Sequence, residues 1–126
     1  MSGTETADGA QFMAESQSEQ EFMRHVMAYA KARGWLVYHT HISKRSTEGF
    51  PDLCMVRGGR LVFAELKREP PRLKNGAPSV AATYEPTVAQ WTWLDALGDV
   101  TPGFGGAVSA FLWRPSSWGQ IEEVLK

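Results

Sequence analysis

Three charged residues define the chemistry open to this chain: Asp52, Glu65 and Lys67. Two carboxylates can bind a hard divalent cation through oxygen, and an ammonium beside them can orient water or stabilise an anion. Each stands where an apolar strand begins or ends. The stretch 53–56 is an unbroken apolar run, and 61–66 is apolar except for Glu65. Between them, Arg57-Gly58-Gly59-Arg60 suits a tight turn, so the two runs read as a hairpin in a largely buried sheet. An antiparallel hairpin lays the start of its first strand beside the end of its second, which brings Asp52 to Glu65 and Lys67. Residues two apart on a strand share a face, so Glu65 and Lys67 point the same way. Taken singly, Asp52 is also a natural turn residue after Pro51, and Glu65-x-Lys67 a natural strand-end ion pair. Taken together, three charges at one end of two apolar strands need a common reason, because charges are rarely buried without partners.

The elements around the hairpin must position these groups. A helix is expected over 19–33, stopped by Gly34, with Phe22, Met23, Val26, Tyr29 and Ala30 on one stripe. Glu19 begins that stripe and is expected to face the sheet; a cap with Ser16, or a favourable place in the helix dipole, is the plainer alternative. Glu21 points elsewhere and can close a capping box with Ser18. A strand follows over 35–41, with Trp35, Val37, His39 and His41 sharing a face. The two histidines read as hydrogen-bonded or substrate-facing rather than as a zinc site, since only helix-borne His25 could join them. The polar loop 42–48 leads straight into Gly49-Phe50-Pro51-Asp52, and its Lys44 and Arg45 are candidates for phosphate contact. Beyond Lys67, the Pro-rich stretch 68–86 reads as a long loop carrying Arg68, Arg72 and Lys74. A second helix is expected from Thr87 to a stop at Gly98, with Gln90, Trp93, Leu94 and Leu97 on one face. Thr87-x-x-Gln90 can form a capping box, so Gln90 has a plain use as a cap beside any use in a site. A Gly-rich connection over 101–106, a strand over 107–113 and a helix over 115–125 complete the order, with Trp118 and Ile121 as core or dimer contacts.

Pro51-Asp52, a spacer, then Glu65-x-Lys67 resembles the PD-(D/E)xK nuclease signature. The fuller pattern Gly49-Phe50-Pro51-Asp52-Leu53, Phe63-Ala64-Glu65-Leu66-Lys67 and Gln90 is similar to the VRR-NUC family within that superfamily. The likeness covers about residues 18–125, judged by the order of elements. It implies an α/β, restriction-endonuclease-like core, a mixed central sheet of about four strands flanked by helices. It implies Mg²⁺ or Mn²⁺ held by Asp52, Glu65 and the Leu66 backbone carbonyl, with Glu19 adding a carboxylate directly or through water. Lys67 would orient the attacking water, and Gln90 would complete the site. Stand-alone members of the family, common in bacteriophages and bacteria, imply structure-selective cleavage of branched DNA such as four-way junctions, and a homodimer. The connection after Lys67 is longer than in those relatives; it reads as a flap that contacts DNA or as a simple insertion.

Length and composition agree with one domain. The chain has 126 residues, 43% of them hydrophobic, and five Trp. The expected organisation is a disordered tail over 1–15 and a single domain over 16–126. Cys54 is the sole cysteine, which excludes an internal disulfide. No apolar run approaches the roughly 20 residues of a membrane span, and no basic segment precedes an apolar core, so the expectation is a cytoplasmic protein without a secretory signal. The net charge of -1 conceals an uneven distribution: residues 1–21 hold five acids and no Lys or Arg, while the rest hold all 13 bases against nine acids. Eight bases lie between Lys44 and Lys74, a basic patch expected around the site as phosphate contact requires. The leading expectation is a metal-dependent DNA endonuclease. A catalytically inert DNA-binding protein on the same scaffold, and a structural protein binding a partner through Trp-rich faces, are the alternatives.

Overall fold

A computed structural model of the chain describes residues 17–41, 46–100 and 107–126. Lys44 and Arg45, the 1–15 segment expected as a tail, and the 101–106 connection lie outside the described residues. The described chain is α/β, a four-stranded mixed sheet with three flanking helices. α1 spans Glu19–Ala32, β1 Leu36–His39, β2 Leu53–Arg57, β3 Arg60–Leu66, α2 Val88–Gly98, β4 Ala107–Trp113 and α3 Trp118–Leu125. The sheet order is β1-β2-β3-β4; the first two pairings are antiparallel and β3 with β4 is parallel. Parallel neighbours need a crossover, and here it carries α2 onto one face of the sheet.

Alternation along the strands separates the two faces. Leu53, Met55, Val62, Ala64, Leu66 and Trp113 point to the core, which Phe22, Val26 and Ala30 of α1 and Ile121 and Leu125 of α3 close. Phe63 and Glu65 fall on the opposite face, which α2 covers over β3 and β4. At the β1 edge that second face is bare, and Leu36, Tyr38 and Val56 are exposed.

The hairpin turn is the Gly-Gly pair expected, with Gly58 and Gly59 at φ +54 and +80, the left-handed conformations that a two-residue turn demands. The strands run one residue further than the apolar pattern, because Arg57 and Arg60 pair across the turn and are anchored. Arg57 donates to the carbonyls of Arg33, at 2.8 Å, and Lys126; Arg60 donates to that of Val124 at 2.6 Å. The last carbonyls of a helix have no partner within it, and guanidinium donors satisfy them. Trp35 lies under both guanidinium groups, 4.8 and 5.0 Å from its ring, and donates its indole N–H to the Leu125 carbonyl at 2.9 Å. This corrects the expected basic patch: Arg57 and Arg60 serve the fold at the end of the hairpin remote from Asp52.

Other departures are local. β1 is shorter than the expected 35–41, because Trp35 turns into the core and Thr40 leaves the regular strand. The Thr40 N–H donates to the Asp52 carbonyl at 2.8 Å, and its hydroxyl to the Pro51 carbonyl at 2.9 Å. The terminal helix opens as a 3-10 turn at Pro115–Ser117 before α3 begins. The stretch after Lys67 is not a plain loop, since Arg72 and Pro78 form an antiparallel bridge and Ala82–Tyr84 a 3-10 turn. Trp113 is fully buried, so Trp113→Ala should cost roughly 3–5 kcal/mol, read as a lower urea midpoint. Leu36→Ala, on the bare face, should stay within about 0.5 kcal/mol in the same titration.

Candidate active site

Leu53 faces the core, so its neighbour Asp52 turns to the α2 face, the side taken by Glu65. The Asp52 Oδ2 accepts the Leu66 N–H at 2.8 Å. The register explains this bond. Continued past Leu53↔Ala64, the ladder would set position 51 against Leu66. Pro51 has no N–H, and its carbonyl accepts the Thr40 hydroxyl. The Asp52 side chain therefore supplies the acceptor, and Pro51 has no donor to offer the Leu66 carbonyl. The N–H and C=O of one strand residue point to the same edge, so that carbonyl faces the Asp52 side.

Glu65 is 2% exposed. Its Oε2 accepts the Gln90 Nε2 at 2.7 Å and lies 3.9 Å from the Lys67 Nζ. Its Oε1 is buried with no hydrogen-bond partner. The Asp52 and Glu65 carboxyls lie close enough for each to shift the other's proton affinity. Burial first, and the Asp52 charge second, push the Glu65 carboxyl up to about 8. Burial also raises Asp52, against the opposing pull of the Leu66 N–H and the Lys67 ammonium. Without a cation, the pair keeps its proton on Glu65 into the neutral range.

Gln90 serves both of the uses open to it. Its Oε1 accepts the Thr87 N–H at 2.8 Å and its own N–H donates to the Thr87 hydroxyl at 3.1 Å, which completes the capping box. The amide nitrogen is then left for Glu65. The segment before Asp52 is strapped to the same helix. The Trp93 indole donates to the Glu48 carbonyl at 3.1 Å, and Phe50 packs edge-on against Trp93 and Phe63. Gly49 has φ +92, and a Cβ there would stand 2.5 Å from the carbonyl group of Ala89. Only glycine permits that approach, a demand that the Gly49-Phe50-Pro51-Asp52 motif alone does not reveal.

Glu19 arrives from the layer of α1, on the other side of the sheet. It is exposed, yet its carboxyl feels Asp52, Lys67 and Arg68, and burial followed by Asp52 raises its pKa. Among the described residues, no group of three or more His, Cys, Asp and Glu is arranged to hold a metal ion. The structure thus brings Asp52, Glu65, Lys67, Gln90 and the Leu66 carbonyl together, with Glu19 at the rim. Glu21 closes the cap with Ser18 and takes no part. Arg68, Arg72 and Lys74 are exposed in the segment that leaves Lys67. A cleft of about 420 Å³ opens beside the carboxylates, lined by His41, Ser46, Thr47, Asp52, Thr87 and Gln90 among others. The His39 and His41 rings lie 4.2 Å apart at its edge. A larger groove of about 560 Å³ between α1 and the start of α3 contains no carboxylate, so size alone does not mark the site.

No protein-family model matches the chain, and no curated protein or solved structure is significantly similar to it.

Two outcomes follow from this geometry. Gly49→Ala should lower stability by roughly 1–3 kcal/mol in a urea titration, through both the left-handed backbone and the clash with Ala89. The folded protein also holds a proton on Glu65 that the unfolded chain loses above the ordinary value of 4.5. That contribution is complete below the unfolded value and is lost as pH rises through about 8. With a chelator present, the melting temperature should fall from mildly acid pH to about 8 and level off above it, and Glu65→Gln should flatten the decline.

Proposed function

We propose that this chain is a divalent-metal-dependent deoxyribonuclease that hydrolyses phosphodiester bonds, with branched DNA as its preferred substrate. The observation that carries the reading is the Glu65 Oε1, a buried carboxylate oxygen without a partner beside a second carboxylate. A proton or a cation satisfies such an atom, and oxygen donors favour Mg²⁺ or Mn²⁺ over zinc. Asp52, Glu65 and the Leu66 carbonyl would hold the ion, and Glu19 would reach it through water from the opposite layer. When bound, the ion supplies positive charge against the phosphate and makes a nearby water more acidic.

The remaining work falls to the chain. Lys67 orients the attacking water and neutralises charge that grows on the phosphate oxygens. Gln90 fixes the rotation of the Glu65 carboxyl, which would keep Oε1 available to hold an ion. Arg68, Arg72 and Lys74, with Lys44 and Arg45, give the phosphate backbone its contacts. The helix, three antiparallel strands, helix and parallel strand agree with the order the PD-(D/E)xK resemblance implies. A homodimer belongs to the proposal on that resemblance alone, and a cytoplasmic setting on the sequence expectation. Among the described residues, no helix is long and apolar enough to cross a membrane.

Cleavage of a labelled four-way junction in Mg²⁺ tests the reading. The unaltered chain should cut, EDTA should stop it, and Lys67→Ala or Asp52→Asn should lower the rate by at least about 100-fold, as loss of a charge-stabilising group does. Binding in a gel shift with no cutting under Mg²⁺ or Mn²⁺ would identify an inert DNA-binding scaffold instead.

A further inference from the structure

The connection from β3 to α2 is a built projection. Beyond the Arg72–Pro78 bridge, the Leu73 N–H donates to the Ala77 carbonyl at 2.7 Å, and the Gly76 N–H to the Leu73 carbonyl at 2.9 Å. Gly76, at φ +83, completes the turn, and Arg72 donates across it to the Gly76 carbonyl at 3.1 Å. The base is equally fixed. Arg114 donates to the carbonyls of Arg68 and Tyr84, at 3.0 and 2.7 Å, and pairs with Glu85. The buried Glu69 accepts the Ser116 N–H at 2.6 Å.

Both acids of this segment are therefore engaged at its base, and its other charges, Arg68, Arg72 and Lys74, are positive and exposed. Between two of those cations, at the tip, Leu73 is 49% exposed, although its main chain is fully used in the turn. A single exposed leucine is ordinary. This one stands on a finger whose two feet are site residues: Lys67 leads out, and Thr87 leads back three residues before Gln90. Six residue steps lead from Glu69 to Asn75, so the tip reaches at most about 20 Å, roughly six nucleotide steps along a strand.

We infer that this finger reads DNA beside the scissile phosphate: its cations hold the backbone while Leu73 wedges into a base step whose stacking is already interrupted, as at a bulge or a branch. Apolar wedges flanked by basic side chains enter DNA in this way. An intact duplex charges the full cost of unstacking, whereas an interrupted one has already met it, so the wedge favours the interrupted substrate. The inference rests on the nuclease reading and extends it to the residue that selects the substrate.

The test uses the full chain, a duplex with a 2-aminopurine beside a bulge, and a single strand of the same sequence. In Mg²⁺, Leu73→Ser should lower the ratio of bulged-duplex to single-strand cutting at least tenfold. In Ca²⁺, with no cutting needed, the 2-aminopurine fluorescence that rises when the unaltered chain binds should rise far less with the variant. A ratio within twofold of the unaltered chain, at an unchanged melting temperature, overturns the finger proposal. If the unaltered chain cuts neither substrate, the nuclease reading fails, and the fluorescence alone decides whether Leu73 enters the stack.

Discussion

The contact between two desolvated carboxyls, Asp52 and Glu65, constrains everything around it. Such a contact is unfavourable unless a proton, a cation or a set of donors offsets it. The chain brings two hydrogen-bond donors, the Leu66 N–H and the Gln90 amide, and sets the Lys67 ammonium 3.9 Å from Glu65. These leave the Glu65 Oε1 open. An apolar pair at these positions would suit two largely apolar strands better. Retaining the carboxyls sacrifices stability at the place where a cation would restore it, as functional sites commonly do.

The two ends of the hairpin show the contrast. At the turn, Arg57, Arg60 and Trp35 satisfy the last carbonyls of α1 and α3, and none of the candidate site residues stands there. At the other end, pairing of β2 with β3 stops two residues before β3 does, because Pro51 cannot donate and Thr40 occupies its carbonyl. The sheet thus frays at the point where Asp52, Glu65 and Lys67 meet. The α2 helix compensates: Gly49 presses against Ala89, Phe50 against Trp93, and the Glu48 carbonyl receives an indole N–H. The rigid end of the hairpin and the strapped loop hold a site that its own ladder does not close.

Local signals were legible from residues alone. The Gly-Gly turn, both capping boxes, the apolar stripe of α1 and the convergence of Asp52 with Glu65 and Lys67 all rest on neighbours within a few residues or on strand alternation. Signals that depend on distant chain segments were not. Nothing near Arg114 announces that it will bind the carbonyls of Arg68 and Tyr84, or near Glu69 that it will meet Ser116. The basic patch misled for the same reason, since a count of charges along the chain cannot separate Arg57 and Arg60, bound to helix ends, from Arg68, Arg72 and Lys74. Periodicity puts Glu19 on the sheet-facing stripe of α1, but it cannot give the distance from two carboxyls on the opposite face.

Gln90 shows why a cap and a site can require the same residue. The capping box consumes its amide oxygen, so the nitrogen must be the end that meets Glu65. A donor there suits Oε2 whether Glu65 is protonated or ionised, and it leaves Oε1 for the proton or the cation. Glutamate at this position would preserve the cap, yet it would set a third carboxyl against the buried pair and raise the Glu65 pKa further. Asparagine would keep the amide but lose a methylene of reach, so it could not span from the cap to the strand. Among these three, only glutamine joins the start of α2 to the end of β3, and through that bond the helix sets the direction in which the open oxygen points.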